Sequence, residues 1–259
     1  MLRRQVVAWL ADSLVPQGFR RRGDVFTKQW TPEILGRVGL AMTFYRRDQL
    51  LAVTPTIGVR HEKLERNAAV LYCVPDRAVG PRTVLEHLGY LMPQRSDVVW
   101  EFAVGEVTPE VRERVAAMPG GTRFMSIGSS NAETAGMMAT AIREYALPFI
   151  ERMASLESIA EWLEQPGAPA LVRRSRLPMA YRMLGRGHDA EAILRRALAD
   201  VGDDSPASNR FRVFAYRFLG DDRAAVAVAR RQLDLLGEQQ GAFQDGIRSW
   251  CRAVVGEDA

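Results

Sequence analysis

Ala180-Tyr181-Arg182-Met183-Leu184-Gly185 returns thirty-five residues later as Ala215-Tyr216-Arg217-Phe218-Leu219-Gly220. At the same offset Ala190 returns as Ala225, Ala192 as Ala227, Arg195-Arg196 as Arg230-Arg231, Leu198 as Leu233 and Gly202 as Gly237. A single fixed offset without gaps marks a tandem duplication, and each copy reads as a helical hairpin. Gly185 and Gly220 supply the left-handed residue that stops the first helix and turns the chain. Ala190 and Ala225 let the second helix approach the first closely. Leu194, Leu198 and Val201, with Val228, Leu233 and Leu236, supply apolar bulk. One such hairpin cannot bury its apolar side alone, so neighbours must stack. Residues 243–255, with Ile247, Trp250, Cys251 and Val254 at helical spacing, read as a closing helix.

Upstream the periodicity changes. Val6, Val7, Leu10 and Leu14 predict a helix over 3–15, stopped by Pro16 and Gly18. Val38, Leu40, Met42 and Phe44 alternate with Gly39, Ala41, Thr43 and Tyr45, the period of a half-buried strand. Strands are also predicted over 19–30 with a break at Gly23-Asp24, over 50–60, and over 97–104. Pro55 places the strand over 50–60 at an edge or a bulge. Helices are predicted over 62–72, 83–91 and from Pro109 to about Met118, before Pro119-Gly120-Gly121. Ser130-Asn131-Ala132-Glu133 has the form of a capping box heading a helix over 131–146, continued over 149–164. Gln165-Pro166-Gly167-Ala168-Pro169 reads as a linker. The expected architecture is α+β: a small, mostly antiparallel sheet with helices over 1–165, then all-α hairpins over 170–259.

Composition narrows the function. With 47% hydrophobic and 25% charged residues the chain has the balance of a folded protein. The start has a basic pair before apolar residues, but Asp12 cuts that run short, so an amphipathic helix is expected there and a cytoplasmic location follows. The pI near 9.4 hides a net charge of only +4, from 35 basic and 31 acidic residues. Lys28 and Lys63 are the only lysines, a bias that fits a GC-rich bacterial genome better than a phosphate-binding surface. Cys73 and Cys251, far apart in sequence, are read as reduced core thiols rather than as one long-range disulfide.

The hairpins resemble tetratricopeptide-type repeats, whose period is about 34, over roughly 175–237. Gly185 and Gly220 match that family's turn glycine, Ala190 and Ala225 its first small position, Leu194 its larger apolar position and Ala197 its second small position. Ala229, Gln232, Pro178 and Val213 depart from the pattern. The resemblance implies a concave groove lined by the first helices. Carried onto this chain, it would present Arg176, Met179, Arg182, Arg210, Phe214 and Arg217 to an acidic or carboxylate-ended protein segment. The competing reading packs these residues against the rest of the chain or leaves them solvated.

Gly18-Phe19-Arg20-Arg21-Arg22-Gly23-Asp24-Val25-Phe26, with Ile57-Gly58-Val59 and Tyr145-Ala146-Leu147-Pro148-Phe149, resembles a bacterial domain family of unknown function over about 5–164. Some of its relatives are similar to immunity-type proteins encoded beside toxins. The resemblance implies protein binding and transfers no catalytic residue.

A search for chemistry finds little. His61, His87 and His188 fall in separate elements, and Glu65 stands where a His-Glu-x-x-His motif needs its second histidine. Asp203-Asp204 and Asp221-Asp222 sit in turns, where Asp caps helices. Ile127-Gly128-Ser129-Ser130-Asn131 precedes a helix without the lysine or glycine spacing of a phosphate loop. The sequence therefore predicts no catalytic centre, metal site or cofactor, and no membrane partner. A non-enzymatic protein-interaction module is the expected function. The alternative is nucleic-acid binding through Arg20–Arg22 and Arg46-Arg47, with Phe26 and Trp30 as stacking rings.

Overall fold

The computed structural model describes residues 1–47, 49–75, 82–93, 97–105, 108–117, 122–125, 130–238 and 240–256. They form two compact units, Met1–Arg60 with Val84–Ala154, and His61–Thr83 with Ser155–Ala259.

The first unit is a sheet with helices. Helix α1 (Leu2–Leu14) buries Val6, Val7, Leu10 and Leu14 on one stripe, then tightens into a 3₁₀ turn at Pro16. Strands β1 (Arg20–Arg22), β2 (Val25–Thr31), β3 (Ile34–Tyr45) and β4 (Leu50–His61) follow. Helix α2 (Glu62–Tyr72) comes next, and the chain returns as β5 (Val84–His87), α3 (Leu88–Leu91), β6 (Val98–Ala103), α4 (Pro109–Ala116) and β7 (Thr122–Met125). The sheet order is β1-β2-β3-β4-β6-β7, with β5 also paired to β4. Pairing is antiparallel for β1–β2, β2–β3, β4–β5 and β4–β6, and parallel for β6–β7.

Strand β4 corrects the expectation for Pro55. It is central, not an edge. One side of it pairs Leu50–Val53 with β6 and then Thr56–Val59 with β5. Pro55 stands in the gap between these two ladders, where a missing N–H costs no hydrogen bond. Residues 84–87, expected as the start of a helix, form β5 instead, because β4 offers them a free ladder beyond that gap. Strand β7 is a further strand that local periodicity does not reveal.

Helix α5 (Asn131–Ala141) starts with the anticipated capping box: the Ser130 hydroxyl accepts from the Glu133 amide at 3.2 Å, and the Ser130 amide donates to the Glu133 carboxylate at 2.6 Å. Ile142–Ala146 then widens into a π turn before α6 (Leu147–Arg152). Pro148 lacks an amide hydrogen and its ring crowds the carbonyl four residues back, which a wider turn relieves. The helix expected over 149–164 is broken at 153–155. A new one, α7 (Leu156–Glu164), starts with the Ser155 hydroxyl accepting from the Ser158 amide at 3.1 Å.

The second unit continues as α8 (Ala170–Met183), α9 (Gly187–Ala199), α10 (Pro206–Phe218), α11 (Asp222–Leu236) and α12 (Ala242–Val255). Residues 165–169 join α7 to α8 inside this unit rather than separating two domains. Helices α8 and α9 pack as one hairpin, α10 and α11 as the next, and α12 closes on α11. The duplicated hexapeptides make the same turn. Gly185 has φ +78 and Gly220 φ +80. The Arg186 amide donates to Tyr181 O and the Asp221 amide to Tyr216 O, each at 2.8 Å. The Gly185 and Gly220 amides donate to Arg182 O and Arg217 O, each at 3.1 Å. Both ends are therefore Schellman caps, and Leu184 and Leu219 are both half-buried beside them.

Candidate functional site

Helix α2, which the sequence assigns to the N-terminal part, is built into the helical unit. It packs against α8 and α10, the first helices of the two hairpins, and so takes the place anticipated for a partner segment. His61 caps it, its Nδ1 accepting from the Leu64 amide at 3.3 Å. Glu65 is fully buried and meets Arg176, with Nη2 to Oε2 at 2.8 Å and Nε to Oε1 at 3.3 Å. The Thr83 hydroxyl donates to Glu65 Oε1 at 2.8 Å and accepts from the His61 amide at 2.9 Å. Burial disfavours the charged form of Arg176, and the hydrogen bonds and charge of Glu65 outweigh it, holding the guanidinium above its ordinary pKa.

The other end of α2 is anchored by aromatic rings. Tyr72 stacks on Phe214 with centroids 4.7 Å apart, and the Trp250 indole N–H donates to Tyr72 O at 2.8 Å. Cys73 and Val74 pack on the core of Val213, Ala229, Ile247, Trp250 and Cys251. The six anticipated groove residues are thus accounted for within the chain. Arg176 pairs with Glu65, Met179 is buried, and Phe214 carries Tyr72. Arg217 contacts Cys73 Sγ and pairs with Asp222 at 3.4 Å. Arg182 lies over the Phe218 ring at 3.4 Å and donates to Phe218 O at 2.7 Å, and Arg210 lies over Trp250 at 5.4 Å. Met179 and Phe214 are buried and Arg176 and Arg217 half-buried, while Arg182 and Arg210 keep exposed side chains.

An open site lies elsewhere on the same unit. A cleft of about 770 Å³ runs between α8 and α9 to the start of α10, with Leu177 and Ile193 on its floor and Arg173, Arg174 and Arg196 along it. Arg174 is braced over Phe211 at 4.4 Å. Arg173 and Arg196 have no carboxylate partner among the described residues. Three acidic residues also line the cleft, and two are engaged. Glu164 accepts from the Tyr181 hydroxyl and faces Arg186 at 3.6 Å. Asp203 accepts from the Ser205 hydroxyl at 3.1 Å, and hydrogen bonds from Ser208 and Ser205 pull its carboxyl below the usual range. Asp200 remains at the rim. The cleft is not legible in the sequence, because α8 and α9 line it together.

The remaining candidates take structural places. Arg20, Arg21 and Arg22 are exposed on the edge strand β1, Phe26 is fully buried, and Trp30 sits under the Lys28 ammonium at 4.6 Å. His87 packs edge-on to Tyr90 and His188 is exposed. Asp221 caps α11, accepting from the Ala224 amide at 2.9 Å, and Asp204 pairs with Arg212 and Arg231. Ile127, Gly128 and Ser129, like Met118 and Pro119-Gly120-Gly121, lie outside the described residues. Both cysteines are free thiols, Cys251 buried and Cys73 half-buried. Among the described residues, no group of three or more His, Cys, Asp or Glu side chains could hold a metal ion, and no helix is long and apolar enough to cross a membrane. Comparison with known family models, with curated proteins and with solved structures finds no match.

Proposed function

We propose that this protein is a non-enzymatic protein-interaction module of a bacterial cytoplasm, acting through its helical unit. The observation that carries this reading is α2 itself. The first helices of the hairpins hold a helix by a buried carboxylate at one end and a stacked ring at the other, and the first helices are where the tetratricopeptide resemblance implies a peptide groove. With that place filled from within the chain, the partner is an acidic protein segment that docks on the open surface of the same unit. An immunity-like role, neutralising a partner by occupying it, fits the resemblance of residues 5–164. The alternative, nucleic-acid binding at β1, has three exposed arginines in its favour, but of its two stacking rings Phe26 is fully buried and Trp30 lies under Lys28.

Photo-crosslinking in the host separates the two. A photoreactive residue at Arg195, exposed on α9, is expected to give protein adducts, and one at Arg21 none with RNA or DNA. Nucleic-acid adducts from position 21, with none to protein from position 195, would reverse the assignment.

A further inference from the structure

The internal duplication supplies its own control for the cleft. Thirty-five residues on from Arg174 and Ala197 stand Asn209 and Gln232. In the second hairpin these two are buried and bonded to each other, Asn209 Nδ2 donating to Gln232 Oε1 at 2.7 Å across α10 and α11. Arg212, the counterpart of Leu177, joins them by donating to Asn209 Oδ1 at 2.7 Å and to Asp204 at 3.0 Å. Arg231, the counterpart of Arg196, is tied to Asp204 at 2.5 Å. The second copy is thus filled and its charges are answered. In the first copy alanine stands in place of the long amide, leucine in place of the bridging arginine, and Arg173 and Arg196 face open space without a carboxylate.

From this contrast we infer that the cleft of the first hairpin is a binding site for an extended acidic peptide segment. An aliphatic side chain of the ligand sits on Leu177 and Ile193, and carboxylates on either side of it pair with Arg173 and Arg196. The chemistry follows from the lining. Guanidinium groups form paired, charge-assisted hydrogen bonds to carboxylates, and an apolar floor of this size rewards a leucine-sized anchor. With Glu164 facing Arg186, the cleft's three arginines stand against two carboxylates, Asp200 and Asp203, and this small positive excess disfavours basic segments. This inference rests on the interaction-module reading and names the partner's chemistry.

The test measures fluorescence anisotropy of labelled ten-residue peptides with the full chain. One peptide carries a leucine flanked by aspartates and glutamates. A second has those acids replaced by asparagine and glutamine, and a third keeps the acids and replaces the leucine with glycine. The first is expected to bind at least tenfold more tightly than either other. Two variants must abolish that preference: Arg173→Glu with Arg196→Glu, which reverses the charge, and Arg174→Asn with Ala197→Gln, which rebuilds the filled second copy in the first. The second variant adds a hydrogen-bonded pair already present in the protein and keeps the helices intact. Equal binding of all three peptides, unchanged binding in both variants, or full displacement by citrate alone at matched ionic strength would overturn the proposal. Should the peptides fail while position 195 still crosslinks to protein, the ligand assignment falls and the interaction module stands. A helical unit that gives no protein adduct removes both.

Discussion

Arg176 and Glu65, 111 residues apart in sequence, form a two-bond ion pair in which the carboxylate is wholly buried and the guanidinium is 12% exposed. A buried pair adds little net stability over an apolar one, but stripping one partner leaves the other charge stranded. Glu65→Ala and Arg176→Ala are each expected to destabilise the helical unit by about 3–5 kcal/mol. Glu65→Leu combined with Arg176→Met should recover most of the loss. Urea titration followed by circular dichroism checks this, and additive losses in the double variant would count against the pair.

The two Schellman turns should respond alike. Gly185 and Gly220 have the same left-handed φ, and a Cβ added at either meets nothing within 4 Å. Replacement by alanine therefore costs backbone strain alone, about 1–2 kcal/mol at each position. Denaturation midpoints of Gly185→Ala and Gly220→Ala should agree closely. A large difference would mean that the two copies do not turn in the same way.

The buried amide pair makes a third prediction. Asn209→Ala strips Gln232 Oε1 of its donor, and Gln232→Ala leaves one Asn209 Nδ2 hydrogen unpaired while Asn209 keeps Asp204 O and Arg212; each change is expected to cost about 1–3 kcal/mol. Asn209→Leu with Gln232→Leu should cost less than either single change, as the same titration would show.

High pH probes the thiols. Burial pushes the Cys251 thiol up to about 11 from its ordinary 9.0, while Arg210 opposes this weakly. Cys73 moves in the same direction for the same reason, against the pull of Arg217. In the unfolded chain these thiols ionise near 9, whereas the folded protein still holds their protons, so unfolding releases protons between the two values. Stability should be fully present below pH 9 and fall as pH rises toward 11. Thermal melts across that range should show a shallower fall in Cys251→Ala, whatever its absolute stability.

Sequence made the hairpins legible because a fixed offset repeats both the turn glycines and the small residues beside them, and those residues act locally. The alternation of β3 was legible for the same reason. The destination of α2 was not. Its helical period over 62–72 says that a helix forms, but its flanking strands suggest a neighbour in the sheet, and Glu65 looks like any exposed acid of a first turn. Only the pairing with Arg176 marks it as buried. Val84–His87 was misread because its strand character depends on the free side of β4 beyond Pro55. The start at Ser155 could have been found, since Ser155 and Ser158 stand at capping distance. The cleft was hidden for another reason: Ala197 fits the repeat pattern, so the departure that drew attention was Gln232, the residue that fills the gap.

Hydrogen–deuterium exchange on the full chain, comparing wild type with Glu65→Ala, tests most directly whether residues 61–83 belong to the helical unit. Amides of α2 should lose protection together with those of α8 and α10, while β2, β3 and β4 keep theirs. Loss confined to α2, or shared with β3 and β4 while α8 and α10 stay protected, would contradict the assignment of that segment.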